Sequence, residues 1–290
     1  MSAPGLLSRR HWLVRGARSS LAAACAAGLG TSASNVDVFV WLRGGADGLS
    51  LIVPHHDDLY YRARPHTALL GPGRGQGAGL LLTEGFALHP QLAPLMPAFV
   101  AGEAAAVVAV GAPVFTGSHR AAERAMLASV EHCWGPLGRA SVPGSLSEQL
   151  SALGKRVLSG TAPPVALVEA SGWDTHAAQG GAGHGLLVAV VDDFARAVRD
   201  FRAALGNERG RVRIVVGTEF GRSLGETPLG GTDDGHASVA LVVGGAPHAS
   251  PVLGQWPGLN TEALSRARHL RPTTTLAAVL GGAPIPAVFT

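Results

Sequence analysis

Cysteine is scarce in this chain of 290 residues: it has two, Cys25 and Cys133. Lysine is scarcer still, with Lys155 alone. Beyond position 34 only Cys133 remains, so that part has no cysteine pair for a disulfide and no cysteine-rich zinc site. Cys133 itself reads as a small, buried apolar residue. Any metal must be held by His, Asp and Glu, and twelve histidines are a generous supply. A basic stripe interleaved with aromatics is also missing, which argues against a nucleic-acid partner. Long apolar runs are missing too. Leu21 to Leu29 is too short and too weakly hydrophobic for a stable membrane anchor.

That short run has a different reading. Ser8-Arg9-Arg10-His11-Trp12-Leu13 precedes it, no acid occurs before Asp37, and Ser32, Ala33 and Ser34 offer a cleavage region. Paired arginines, a short apolar stretch and a small-residue exit are the pattern of a twin-arginine export signal. Residues 1–34 are therefore expected to be a leader, and 35–290 a single domain that ends in the periplasm or is secreted, with the export machinery as partner. The whole chain carries +3, and the leader holds four arginines and no acid, which leaves −1 on the remainder. The basic balance thus belongs to the leader, and the 256 residues after it suit one large α/β domain.

Short β-branched runs recur at Val36 to Leu42, Ala105 to Val110, Val165 to Val168, Val212 to Val216 and Val239 to Val243. Unbroken apolar runs suit strands covered on both faces. Helical patterns lie between them. The clearest is Gly185 to Leu205, where Leu187, Val190, Phe194, Val198, Phe201 and Leu205 recur every three or four residues. Another starts at the N-cap Ser118 and runs through Met126, and a third covers Pro90 to Val100. The expected fold class is α/β, with a doubly wound, mainly parallel sheet sandwiched by helices. Gly71 to Gly79 reads as loop, and so does Pro136 to Lys155, which shows little periodicity.

In parallel sheets, sites form beyond the carboxyl ends of the strands. Here the polar residues gather after those ends: Asp47, Ser118, Asp174 with His176, Glu219 with Arg222, and Asp233, Asp234 and His236. One such residue alone is usually a cap or a turn. Together, Asp47, Asp174, His176, Asp233, Asp234 and His236 form a candidate ligand set for zinc, manganese or another divalent ion. Arg222 would grip an oxyanion bidentately. Ser118, at a helix N-terminus, would serve as a metal-polarised nucleophile. Gly44-Gly45-Ala46 lacks the dinucleotide-binding spacing, so a nucleotide cofactor is not expected.

The order of motifs also resembles a known family. Gly-Gly-x-Asp-Gly-Leu begins at Gly44, Leu-His-Pro-x-Leu at Leu88, Ser-His at Ser118, Gly-Trp-Asp-Thr-His-x-x-Gln at Gly172, Glu-Phe-Gly-Arg at Glu219 and Gly-Thr-Asp at Gly231. This series resembles the domain-of-unknown-function 1501 family, whose members commonly carry a twin-arginine signal. The resemblance implies an alkaline-phosphatase-like fold and metal-dependent ester hydrolysis. Asp47 would be the acid after the first strand and Ser118 would lie in the nucleophile region. Asp174 and His176 would hold one metal, and Asp233 with its neighbour the other. The chain departs from the pattern at Asp233-Asp234-Gly235, where members carry Asp-His-Gly, and at Glu123-Arg124, where they carry Gln-Asp. His236 stands where a second His is often found. The sulfatase nucleophile signature is absent at Ser118.

Two functions follow as expectations. One is an exported hydrolase-like domain acting on a small-molecule phosphate or related ester. The other is an exported binding or structural module that keeps the fold without catalysis, which the changes at Asp234 and Arg124 favour.

Overall fold

The computed structural model describes residues 36–112, 118–139, 144–181 and 183–288. The expected leader and its cleavage region lie outside them. In chain order the principal strands are β1 (Val36–Leu42), β2 (Ala104–Val110), β3 (Gly138–Arg139), β4 (Val165–Ala170) and β5 (Val212–Gly217). They continue with β6 (Arg222–Glu226), β7 (Thr232–Asp234), β8 (Ser238–Val243), β9 (Val252–Leu253), β10 (Leu264–Ser265) and β11 (His269–Leu270). The principal helices are α1 (His119–Trp134), α2 (Leu146–Leu158), α3 (Leu186–Leu205) and α4 (Leu276–Leu280).

Seven strands form the main sheet in the order β9-β2-β8-β5-β1-β4-β3. All five apolar runs of the sequence lie in it. Six strands are parallel and β8 alone is reversed, pairing antiparallel with both β2 and β5. The reversal of β8 was not legible in a buried run that lacks alternation, because covered strands look alike in either direction. It matters for the site. The N-terminal end of β8 lies at the same edge as the carboxyl ends of its neighbours, with Ser238 opposite Val110. The segment just before β8 is thereby delivered to that edge.

Both faces of the sheet are covered. On β1, Val36, Val38, Val40 and Leu42 pack with Leu150 and Leu153 of α2 and Phe194 and Val198 of α3. The intervening Phe39 and Trp41 pack on the other face with Met126 and Val130 of α1 and Leu280 of α4. This two-sided burial follows from the two-residue period of a strand. On α3 the apolar stripe faces the sheet while Arg196 and Asp192 pair on the exposed side at 2.8 Å. Burying each large apolar side chain contributes about 1.5–3 kcal/mol against roughly 0.3–0.5 kcal/mol for such a pair. Packing therefore sets the place of this helix.

The stretch expected to be loop before Lys155 contains α2 instead. Ser145 and Glu148 form a reciprocal capping box, and Leu150, Leu153 and Val157 bury one face. Pro90 to Val100 is helical, as a 3₁₀ segment to Leu95 followed by an α-turn from Met96. Helix α1 extends past Met126 to Trp134. Cys133 on α1 is not a free thiol, contrary to the expectation of a plain buried cysteine. No helix among the described residues is long and apolar enough to cross a membrane.

Candidate functional site

The segments after β1, β2, β4 and β5, and the one before β8, meet at one edge of the sheet. Arg222, at the start of β6, ties them together. Its side chain is wholly buried. Nε donates to Gly45 O at 2.6 Å, Nη1 to Thr232 O at 2.9 Å, and Nη2 to Gly44 O. The same guanidinium reaches Asp174 Oδ1 at 2.9 Å, Trp173 O at 3.3 Å and His176 Nδ1 at 2.9 Å. Four of its five N–H groups thus point at protein oxygens, and the fifth faces the His176 ring, whose Nδ1 is committed to Asp174. The grip on an oxyanion expected of Arg222 is replaced by a grip on the backbone, since a buried guanidinium must be fully compensated where it sits.

Gly44 and Gly45 permit this approach. They hold φ of +119° and +82°. A Cβ on Gly44 would stand 2.7 Å from Asp174 N, and one on Gly45 would stand 2.1 Å from the Phe220 ring. The Gly-Gly step therefore brings the loop after β1 against those after β4 and β5.

Asp47 does not join the exposed acids, which corrects its expected role as a metal ligand. Its side chain is 1% exposed and that of Arg64 is 0%. Arg64 Nη1 donates to Oδ2 at 2.6 Å and Nη2 to Oδ1 at 3.0 Å. Ser50 Oγ and Gln179 Nε2 each donate to Oδ2 at 2.7 Å. Burial pushes the Asp47 carboxyl up, but the Arg64 charge and these hydrogen bonds prevail and hold it below its ordinary value. Arg64 and Gln179 were missed as members of this network. Gln179 closes the motif that begins at Gly172, so its position was visible even though its partner was not.

Four residues do come together. The Asp174 carboxylate meets His176 Nδ1. His176 Nε2 faces Asp234 Oδ1 at 3.4 Å, and His119 Nε2 lies 2.5 Å from Asp234 Oδ2. The result is a chain of alternating acids and imidazoles, Asp174–His176–Asp234–His119, with Arg222 Nη1 3.7 Å from Asp234 Oδ1. Partial burial raises the Asp174 carboxyl, yet hydrogen bonds from Arg222 and His176 outweigh it and hold the group below its ordinary value. His119 is the residue the sequence reading quoted but did not place in the site. It stands beside Ser118 at the start of α1, and its ring packs 4.6 Å from that of Phe220.

Asp233 and His236 carry other partners. Asp233 follows Thr232 on β7, and neighbouring strand residues point to opposite sides. Its Oδ2 accepts from Arg268 at 2.8 Å, while Asp234 turns to the imidazoles. His236 is buried, with Nε2 2.7 Å from Ala112 O and Nδ1 3.3 Å from Ser265 Oγ. Burial holds its pKa below the ordinary value. Ser118 caps α1, its Oγ accepting from Ala121 N at 3.4 Å.

Ser118, His119, His176, Asp233, Asp234 and His236 all line a cavity of about 400 Å³. In kind, the donors fit a divalent ion: carboxylate oxygens, imidazole nitrogens, and a buried oxygen, Asp234 Oδ1, that accepts no hydrogen bond. Among the described residues, no three such side chains close around one point, because each imidazole is turned onto a carboxylate.

Ser118, Asp174, Arg222 and Asp234 all fall within residues 118–278, which match the family model described as a protein of unknown function, DUF1501. No curated protein matches the chain. The matched region runs from α1 into the first residues of α4 and takes in His119, Asp174, His176 and Asp234, and the protein belongs to the DUF1501 family.

Proposed function

We propose that this is an exported hydrolase-like domain, alkaline-phosphatase-like in fold, that acts on phosphate or related esters. The observation that carries the proposal is Asp234 Oδ1, buried on the cavity wall without a hydrogen bond and with only longer ion-pair contacts, to His176 at 3.4 Å and Arg222 at 3.7 Å. A buried carboxylate oxygen without a donor calls for a cation or a protonated ligand group. Asp174, His176, Asp234 and His119 would hold a divalent metal. When bound, it would act as a Lewis acid and lower the pKa of a bound water. The α/β architecture, with its site beyond the strand ends, supports the fold reading, and the leader motif supports export to the periplasm or beyond.

The chain's own residues have separable parts in this scheme. Asp174 orients His176 through Nδ1, and Asp234 orients His119 through Nε2. An imidazole fixed by a carboxylate is held in one orientation and one tautomer, as a metal-ligating ring requires. Ser118 Oγ stands at the positive end of a helix of sixteen residues, where a developing negative charge is favoured. Arg222 contributes by anchoring the loops and by its charge beside both acids, not by direct contact with substrate.

The test combines metal analysis with an activity panel of phosphomonoesters, phosphodiesters and sulfate esters. Protein from metal-replete expression should hold a stoichiometric divalent ion that His176→Ala loses, and Ser118→Ala should remove hydrolysis. A metal-free wild type that turns over no ester defeats the proposal. The second reading, a binding module without catalysis, draws on the commitment of most Arg222 donors to backbone carbonyls and Asp174. It predicts ligand binding in the cavity with no turnover.

A further inference from the structure

A second cavity of about 600 Å³ adjoins the first and shares Ala112, Ala122, Ala125, Glu219 and Phe220 with it. It lies between α1, α4 and the ends of β2, β5 and β8, and its apolar walls include Val110, Met126, Ala240 and Leu276. Its volume is in the range of small-molecule sites, which are mostly apolar with a few placed polar groups.

Of the polar residues in the wall, His132 is exposed on α1, Ser129 Oγ donates to Ala125 O at 2.8 Å, and the others are also committed elsewhere. Thr218 Oγ1 accepts from Ala46 N at 3.0 Å and donates to Leu42 O at 2.8 Å. Glu219 accepts from Trp41 Nε1 and Gly44 N, each at 2.9 Å. Ser238 Oγ donates to Ala46 O at 2.8 Å, and Thr275 Oγ1 accepts from Ala278 N at 3.2 Å. These hydrogen bonds fasten strand ends and a helix cap. The chamber therefore offers a ligand mainly apolar contact, while His119, His176 and Asp234 line the adjoining cavity. Phe220 stands at the junction, with its ring against His119.

We propose that the substrate is an amphiphilic ester: its anionic head binds beside His119, His176 and Asp234, and an aryl or branched alkyl group on its alcohol fills the second chamber. This rests on the hydrolase-like reading for the head but not for the apolar group. A small polar ester would leave the chamber to water, with few donors or acceptors to hold it, whereas an aryl group would bury its surface there.

The test is calorimetric binding of two non-hydrolysable probes, methylphosphonate and naphthylmethylphosphonate, to the full chain. The naphthyl probe should bind at least roughly tenfold tighter, because burying its ring removes apolar surface from water. Ser129→Phe, which places a ring in the chamber from α1, should erase that preference and leave methylphosphonate binding unchanged. Ala128→Leu serves the same purpose if the larger change impairs folding. Equal affinity for the two probes, or a preference that survives both variants, overturns the inference. If methylphosphonate binds in a manner sensitive to His176→Ala but no preference appears, the head-group reading stands and the chamber inference fails. If the naphthyl preference appears and disappears in Ser129→Phe while no ester is hydrolysed, the chamber stands and the hydrolase reading fails.

Discussion

Asp47 and Arg64 form a two-pronged ion pair with both side chains sealed from water, at 2.6 and 3.0 Å. Removing one partner leaves the other charged and buried. Arg64→Ala should therefore destabilise the fold by about 3–5 kcal/mol, as is usual when half of a buried pair is lost. Denaturant unfolding measures it. The pair also sets a pH dependence. The Asp47 carboxyl is held below its ordinary 3.8 in the fold, so the unfolded chain takes up the proton first. Its stabilisation is full above that value and is lost as pH falls through the folded-state value. Asp47→Asn should flatten the acid limb of a stability-versus-pH curve.

His89 gives a second acid dependence in a higher window. It caps the 3₁₀ segment, its Nδ1 accepting from Gln91 N at 3.1 Å, and it is 1% exposed. Burial pushes its pKa down from 6.5 to about 4, while the Asp47 charge opposes this only in part. Here the unfolded imidazole binds its proton first as pH falls. Stability should therefore decline between about pH 6.5 and pH 4, by about 3 kcal/mol in total. Urea unfolding at a series of pH values would follow the decline, and His89→Gln should remove it. A flat response over that range would mean that His89 is hydrated in the fold.

Close approach at Gly45 supports another prediction. Any side chain there meets the Phe220 ring and must also adopt φ of +82°. Gly45→Ala should destabilise by roughly 1–3 kcal/mol from strain and overpacking. It should also shift His119, whose ring packs against that of Phe220. Thermal unfolding measures the first effect, and the imidazole NMR resonances of His119 report the second.

Patterns that depend on neighbours in the chain were legible, and those that depend on distant partners were not. The strands from Val36 and Val212 and the helix ending at Leu205 follow directly from apolar runs and spacing. The gathering of polar residues at one sheet edge follows from the parallel topology. Asp47 shows the limit. An acid after a strand looks the same whether it faces solvent, a metal or a guanidinium, and only the fold reveals Arg64 beside it, 17 positions away. Arg222 is alike, since its carbonyl partners at Gly44 and Gly45 lie nearly 180 positions back along the chain. Helix α2 was missed for another reason. Its capping box was present in sequence, and the proline and glycines before Ser145 masked it.

That helix offers a simple check. Ser145 and Glu148 satisfy each other's backbone donors at its first turn. Ser145→Ala removes one half of the box on an exposed surface. Loss of an N-cap typically costs about 1 kcal/mol, so a small drop in unfolding free energy is expected without loss of fold. A change near zero would mean that the apolar stripe of α2 alone holds its first turn.

Asp234 separates catalytic from structural roles most sharply. Its side chain is about one-third exposed, and its carboxylate links His119 to the His176 end of the chain. Asp234→Asn keeps the shape and could still accept from one imidazole. It removes the charge that orients both rings and that would bind a cation. Under the proposed function, kcat should fall by roughly a hundredfold or more, as when a positioned acid–base group is disabled. Metal content should fall with it, while unfolding free energy should change by no more than about 1 kcal/mol, because the site is partly open to water. His119→Ala should then add little to the loss, because the imidazole it removes has already lost its orienting carboxylate. Full additivity of the two substitutions would show that they act independently, contrary to the contact at 2.5 Å between them.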